Sequence, residues 1–92
     1  MPTITVNTNY ALLLTDDVVL VDSTGGPITI TLPSIAPTGQ RYYIKDKFGT
    51  TDTNPIVISA TPNLIDTAAS FTLTVEKQSV LAHRFNSDWF IL

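Results

Sequence analysis

Val18-Val19-Leu20-Val21-Asp22-Ser23-Thr24-Gly25-Gly26-Pro27-Ile28-Thr29-Ile30-Thr31-Leu32-Pro33 is the stretch on which the fold turns. Two runs rich in β-branched residues, which favour extended backbone, flank a cluster of turn formers. Paired glycines supply positive φ without steric cost, and Pro27 fixes the entry into the second run. The spacing predicts a hairpin here. Ile28, Ile30 and Leu32 alternate with Thr29 and Thr31, so the first set points inward and the second outward. Pro33 ends the strand. Val18 to Val21 is apolar on both faces, which is unusual in a small antiparallel domain whose outer face meets water. It belongs either in a central layer or beneath another subunit.

Working outward, the same grammar recurs. Thr3-Ile4-Thr5-Val6-Asn7 alternates, and Tyr10 to Leu14 is a strand or an apolar arm. Gln40 to Asp46, Ile56-Val57-Ile58, Phe71 to Val75, Val80 to Phe85 and Trp89 to Leu92 complete the set. Turn clusters separate them at intervals of roughly 8–15 residues, the spacing of an all-β sandwich or barrel. No segment has a 3.6-residue period, and six prolines oppose long helices. The expected fold is a compact antiparallel β-sandwich or barrel-like domain. Residues 1–16 read as an N-terminal arm or first strand and residues 17–92 as the β domain.

With 92 residues the chain holds one core. Because it starts at Met1 and closes on an apolar strand, it is expected to be a complete product. Domains this small bury only about 60–65 % of their unfolded surface and commonly recruit disulfides, metals or self-association. Cysteine is absent and His83 is the only histidine, so neither disulfides nor a zinc cluster is available. Self-association is the remaining route. A net charge of −3 with five Lys and Arg residues argues against nucleic acid. No apolar run approaches the ~20 residues that span a bilayer, and no secretory signal pattern opens the chain. Neither a membrane nor a cofactor is expected as a partner.

No residue carries a catalytic signature. Asp16-Asp17 lacks the spacing of a calcium loop and reads as a solvated turn. His83 has no triad partner and reads as a surface or interface residue. Gly25-Gly26 joins two strands, whereas a phosphate loop joins a strand to a helix. An enzyme using paired carboxylates needs them across a cleft, and nothing in the sequence pairs the eight acids so. In Tyr42-Tyr43 and Trp89-Phe90, neighbours on a strand face opposite ways, so only one of each pair can be core by default. Trp89 reads as core packing, with an aromatic contact as its alternative; the tyrosines stay open. The candidate interface is Ile4, Val6, Tyr10, Leu12 and Leu14 of the first segment, Val19 and Val21 of the two-sided strand, and Tyr42, Tyr43 and Trp89.

Taken in order, these residues resemble a domain pattern widespread in tailed-bacteriophage virion proteins. The carriers are Asp17-Val18-Val19-Leu20-Val21-Asp22, Gly25-Gly26-Pro27-Ile28-Thr29-Ile30-Thr31-Leu32-Pro33, and Gly39-Gln40-Arg41-Tyr42-Tyr43-Ile44-Lys45-Asp46. Gly49, Asn54-Pro55-Ile56-Val57-Ile58, Ile65-Asp66 and Trp89-Phe90-Ile91 follow. The resemblance implies a non-enzymatic all-β module, commonly trimeric, found on tail fibres, baseplate appendages and capsid surfaces. This chain has no shaft, heptads or collagen-like repeat with which to project a receptor-binding head. A short copy of this kind looks more like a capsid decoration (cement) protein. It would be made in the host cytoplasm, displayed on the virion, and partnered by itself and the major capsid protein. The other reading is a tail-fibre or baseplate appendage that binds a host receptor through Tyr42, Tyr43 and the Phe48 to Asn54 loop.

Overall fold

The computed structural model describes residues 2–51 and 53–92; Met1, and Asp52 of the Phe48 to Asn54 loop, lie outside the described residues. Among the described residues there are nine strands: β1 (Thr3–Val6), β2 (Tyr10–Ala11), β3 (Val18–Val21), β4 (Ile28–Thr31), β5 (Arg41–Asp46), β6 (Ile56–Ser59), β7 (Ser70–Leu73), β8 (Ser79–Phe85) and β9 (Asp88–Ile91). No helix occurs among the described residues. The fold is all-β.

The chain winds between two sheets. The first has strand order β1-β3-β5-β8-β9 and the second β2-β4-β6-β7. β1, β3 and β5 are parallel neighbours, and so are β2, β4 and β6. Each coil thus lays one strand in each sheet, and the second-sheet strand serves as the crossover that parallel pairing requires. After β6 the winding stops. β7 returns antiparallel to β6, and β8 and β9 close the first sheet in antiparallel fashion.

Both sheets are therefore mixed, which corrects the antiparallel expectation. The Asp22–Pro27 turn also makes no hairpin, because β3 and β4 belong to different sheets. Its glycines and proline suit a corner between sheets as well as a hairpin. The choice is made by distant partners: Val19 lies beside Ile44, and Ile28 beside Ile56.

The core fills the space between the sheets. Val19, Val21, Tyr42, Ile44, Ala82 and Trp89 face inward from the first sheet, and Ile28, Ile30, Ile56, Ile58 and Leu73 from the second. Each buried aliphatic side chain contributes about 1.5–3 kcal/mol. The rings of Tyr42 and Trp89 pack tilted at 35° with centroids 5.7 Å apart. The Tyr42 hydroxyl donates to the Leu13 carbonyl at 3.0 Å, which ties the β2–β3 loop to the core. Segment 2–16 is built into this body: β1 pairs with β3, β2 pairs with β4, and Leu12 is buried in the core.

Arg84 is the buried cation. It points inward from β8, with its guanidinium 5.5 Å from the centre of the Trp89 ring. Nε donates to the Asn86 carbonyl at 2.8 Å and Nη2 to the Ser34 carbonyl at 3.2 Å. With the Asn63 amide turned so that its nitrogen donates to the Ser87 carbonyl, its oxygen accepts from Arg84 Nη1 at 3.0 Å. Neutral oxygens thus hold the charge, and the 33–40 loop, Asn63 and the β8–β9 turn are drawn to one end of the sandwich.

Candidate functional site

Strand alternation decides which side chains a partner meets. On the outer face of the first sheet, the pairing register sets Thr3, Val18, Tyr43 and Leu81 side by side across β1, β3, β5 and β8. Leu92 joins the row, because its amide donates to the Leu81 carbonyl at 2.9 Å. The neighbouring row carries Arg41, His83 and Phe90, and the row on the other side carries Thr5, Leu20, Lys45 and Ser79. Tyr43, Phe90 and Leu92 are exposed, and Val18, Leu20 and Leu81 half-buried. The result is an apolar band from β3 across β5 and β8 to the C-terminal strand, bordered by the threonines of β1, with cations on both sides of it. An ordinary solvated sheet face would carry polar residues there.

A second apolar group crowns the end of the sandwich gathered by Arg84. Gly39 donates to the Arg84 carbonyl at 2.8 Å, Gln40 Nε2 to the Leu14 carbonyl at 3.1 Å, and the Leu64 amide to Asp88 Oδ1 at 3.3 Å. The loops so joined expose Leu13, Leu14, Ile35, Leu64 and, beside them, Phe85. Ile35 is 78 % exposed. Next to this end lies an open, polar hollow of about 330 Å³, lined by Pro2, Leu14, Thr15, Asp16, Asp17, Gly39, Gln40 and Arg41.

The opposite end is organised by Asp46, an inward-facing residue at the end of β5. Its fully buried carboxylate accepts from the backbone N–H of Gly49 at 3.2 Å, Thr50 at 3.4 Å, Thr51 at 3.2 Å and Lys77 at 3.0 Å. Burial by itself raises its pKa, but the N–H groups of Lys77, Thr51, Thr50 and Gly49 together hold it below the ordinary aspartate value. Gly49 takes a φ of 76°, a conformation that suits glycine, as the loop turns back over the carboxylate. The D-x-x-G element of the sequence is therefore a loop clamp. Thr51, also buried, donates to the Leu73 carbonyl and accepts from the Ile56 amide, which fastens the same loop to the second sheet.

The sequence-derived candidates separate into three groups. Leu12, Val19, Val21, Tyr42 and Trp89 are core residues of the protomer and offer no surface to a partner. Alternation turns Val19 and Val21 inward and leaves Val18 and Leu20 on the outer face of that two-sided strand. Ile4, Val6 and Tyr10 are half-buried at the edge of the core. Leu14 and Tyr43 are exposed, 43 % and 39 % respectively. Of the tyrosine pair, Tyr42 is the core member and Tyr43 the surface one.

Asp16 sits in a turn, where Oδ2 accepts from the Leu13 amide at 2.8 Å and the Tyr10 hydroxyl at 3.0 Å. His83 lies half-buried on the outer face beside Arg41 and Phe90. No group of three or more His, Cys, Asp or Glu side chains able to hold a metal ion occurs among the described residues. The surface residues missed from sequence are Val18, Leu81, Phe90 and Leu92. Their signal was an apolar residue at outward positions of β3, β8 and the C-terminal strand, where a solvated face would carry a polar one. No known family profile matches the chain, and no curated protein sequence is significantly similar to it.

Proposed function

We propose that this chain is a bacteriophage virion structural protein, a capsid decoration protein that reinforces the head by protein–protein contact, without enzymatic activity. It is made in the host cytoplasm, sits on the virion surface, and assembles with itself as a trimer and with the major capsid protein. The observation that supports this reading best is the apolar band Val18-Tyr43-Leu81-Leu92 on a short, tightly corded two-sheet body. A flat apolar band suits burial against a large protein surface better than capture of a small ligand, which requires a concave site. The virion assignment itself rests on the ordered resemblance to phage virion domains.

The test is binding of the purified chain to capsids stripped of it. Wild type should saturate the shell and Leu81→Asp should not. Equal binding by both proteins would remove the band from the contact. The second reading, an appendage that binds a host receptor, keeps Tyr43 but loses Tyr42, whose ring is in the core. Attachment of the isolated protein to host cells, lost on Tyr43→Ala, would favour it.

A further inference from the structure

β5 is the central strand of the first sheet, and its outward positions read Arg41, Tyr43 and Lys45. Lys47 extends the line, because its amide still donates to the Val21 carbonyl at 2.9 Å and alternation turns its side chain outward. Three of the chain's five Lys and Arg residues thus run down the middle of one face, although the net charge is −3. The partners of the two lysines are neutral. Lys45 Nζ donates to the Lys77 carbonyl at 2.7 Å. Lys47 Nζ donates to Thr5 Oγ1 at 3.4 Å and lies 5.2 Å from the centre of the Phe48 ring. Among the described residues no carboxylate occupies an outward position on β1, β3, β5 or β8.

The carboxylates stand on the rim instead. Asp16 and Asp17 line the open hollow with Arg41, and Asp88 begins β9 at its far corner. Asp22 lies at the Lys47 end, where its Oδ1 accepts from the Thr24 amide at 3.0 Å. The apolar band crosses the cationic line at Tyr43. Arg41 and Lys45 flank the crossing, roughly 13 Å apart at about 3.3 Å per residue.

We propose that this face docks on an acidic protein surface, one with an apolar strip for Val18, Tyr43, Leu81 and Leu92 and carboxylates that meet Arg41 and Lys45. The proposal rests on the reading of the band as a docking surface and adds the chemistry of what docks there. Charge complementarity selects the occupant: the cations steer and register an acidic partner, and the band supplies the area that is buried. A second copy stacked face to face fails the same criterion. With a two-fold axis along the strands each cationic row meets itself, and with the axis across them the Arg41 row meets the Lys45 row. A nucleic acid would use the cations through its phosphates but leave Val18, Leu81 and Leu92 without partners.

The test is an NMR titration of the whole chain with three probes: a random glutamate–tyrosine copolymer, duplex DNA, and vesicles of phosphatidylserine and phosphatidylcholine. The copolymer should shift the amides of Arg41, Tyr43, Lys45 and Leu81, and should bind more tightly than either other probe. Combining Arg41→Glu with Lys45→Glu should weaken copolymer binding about tenfold or more, while thermal unfolding stays within a few degrees of wild type. The mass of the isolated protein should be the same for both. Absent shifts on this face, undiminished binding by the charge variant, or tighter binding of DNA or vesicles would overturn the inference. So would a smaller mass for the charge variant, which would make a second copy the occupant. Leu81→Asp tests the band separately: if it binds the copolymer as well as wild type does, the band is not a docking surface. If Leu81→Asp binds weakly and the charge variant does not, the band stands and the acidic partner falls. No capsid enters the assay, so the virion assignment is judged apart from it.

Discussion

Replacing Asp46 with alanine should be the most damaging single change at a polar position. The carboxylate receives four backbone N–H groups, two from within its own loop at Gly49 and Thr50, one from buried Thr51, and one from Lys77 in the β7–β8 connection. Hydrogen bonds to a charged group contribute about 1.5–3 kcal/mol each, and water replaces the more exposed of them after mutation. Counting the Thr51 and Lys77 bonds in full and the other two lightly gives a loss of roughly 3–5 kcal/mol. A domain of this length has a total stability on the order of 5–14 kcal/mol, so the variant approaches marginal stability.

Urea unfolding followed by fluorescence of Trp89, the only tryptophan and fully buried, reports the loss. At about 1 kcal/mol per molar urea, the midpoint should fall by about 3 M or more. The pH dependence separates charge from packing. A carboxylate whose folded pKa is depressed stabilises the fold above its unfolded pKa of about 3.9 and loses that contribution as pH falls through the folded value. The gap between wild type and Asp46→Ala should be constant from near-neutral pH to about 5 and should close below about 4. A loss under about 1 kcal/mol, or a gap that persists unchanged to low pH, would refute the clamp.

Three further outcomes are expected. Tyr42→Phe should cost about 1 kcal/mol at neutral pH through the lost bond to the Leu13 carbonyl, measured by the same urea titration. Burial, then the negative charge of Asp16, pushes the Tyr42 phenol up to about 12, with an opposing hydrogen bond from Gln40. Stability held by the neutral phenol is present below the unfolded value of about 10 and disappears as pH rises through the folded one; Tyr42→Phe should lack this alkaline loss. Deletion of residues 2–14 should abolish cooperative unfolding rather than release a folded β domain, since Leu12→Ala alone removes about 2–5 kcal/mol of core packing. In capsid binding, Tyr43→Ala should weaken affinity about 30-fold, the effect of a 2 kcal/mol hot spot, while thermal unfolding stays within a few degrees of wild type.

The strands were legible because side-chain alternation is a local property. Ile28, Ile30 and Leu32 face inward and Thr29 and Thr31 outward, as their period of two requires. What alternation does not encode is the neighbour. Gly25-Gly26-Pro27 specifies a reversal of the chain, yet whether β4 then lies beside β3 or beneath it depends on β5 and β6, which come later. The two-sided apolar strand was a real signal. β3 has parallel neighbours on both sides, with Val19 and Val21 in the core and Val18 and Leu20 under the outer surface. The Asp46 clamp left a visible trace only in Gly49, because Lys77, its strongest partner by distance, is far away in sequence. Core and surface were confused at Leu12, Val19 and Val21, and left open at Tyr42, for a related reason: an apolar side chain shows that something covers it, and nothing in the chain says whether that is a partner or the protein's own second sheet.

The proposed role is tested most directly by the copy number of this protein relative to the major capsid protein in purified particles, measured by quantitative mass spectrometry. A decoration protein should approach the copy number of the shell subunit, since only a repeating lattice offers so many equivalent sites. A handful of copies per particle, or none, would contradict it.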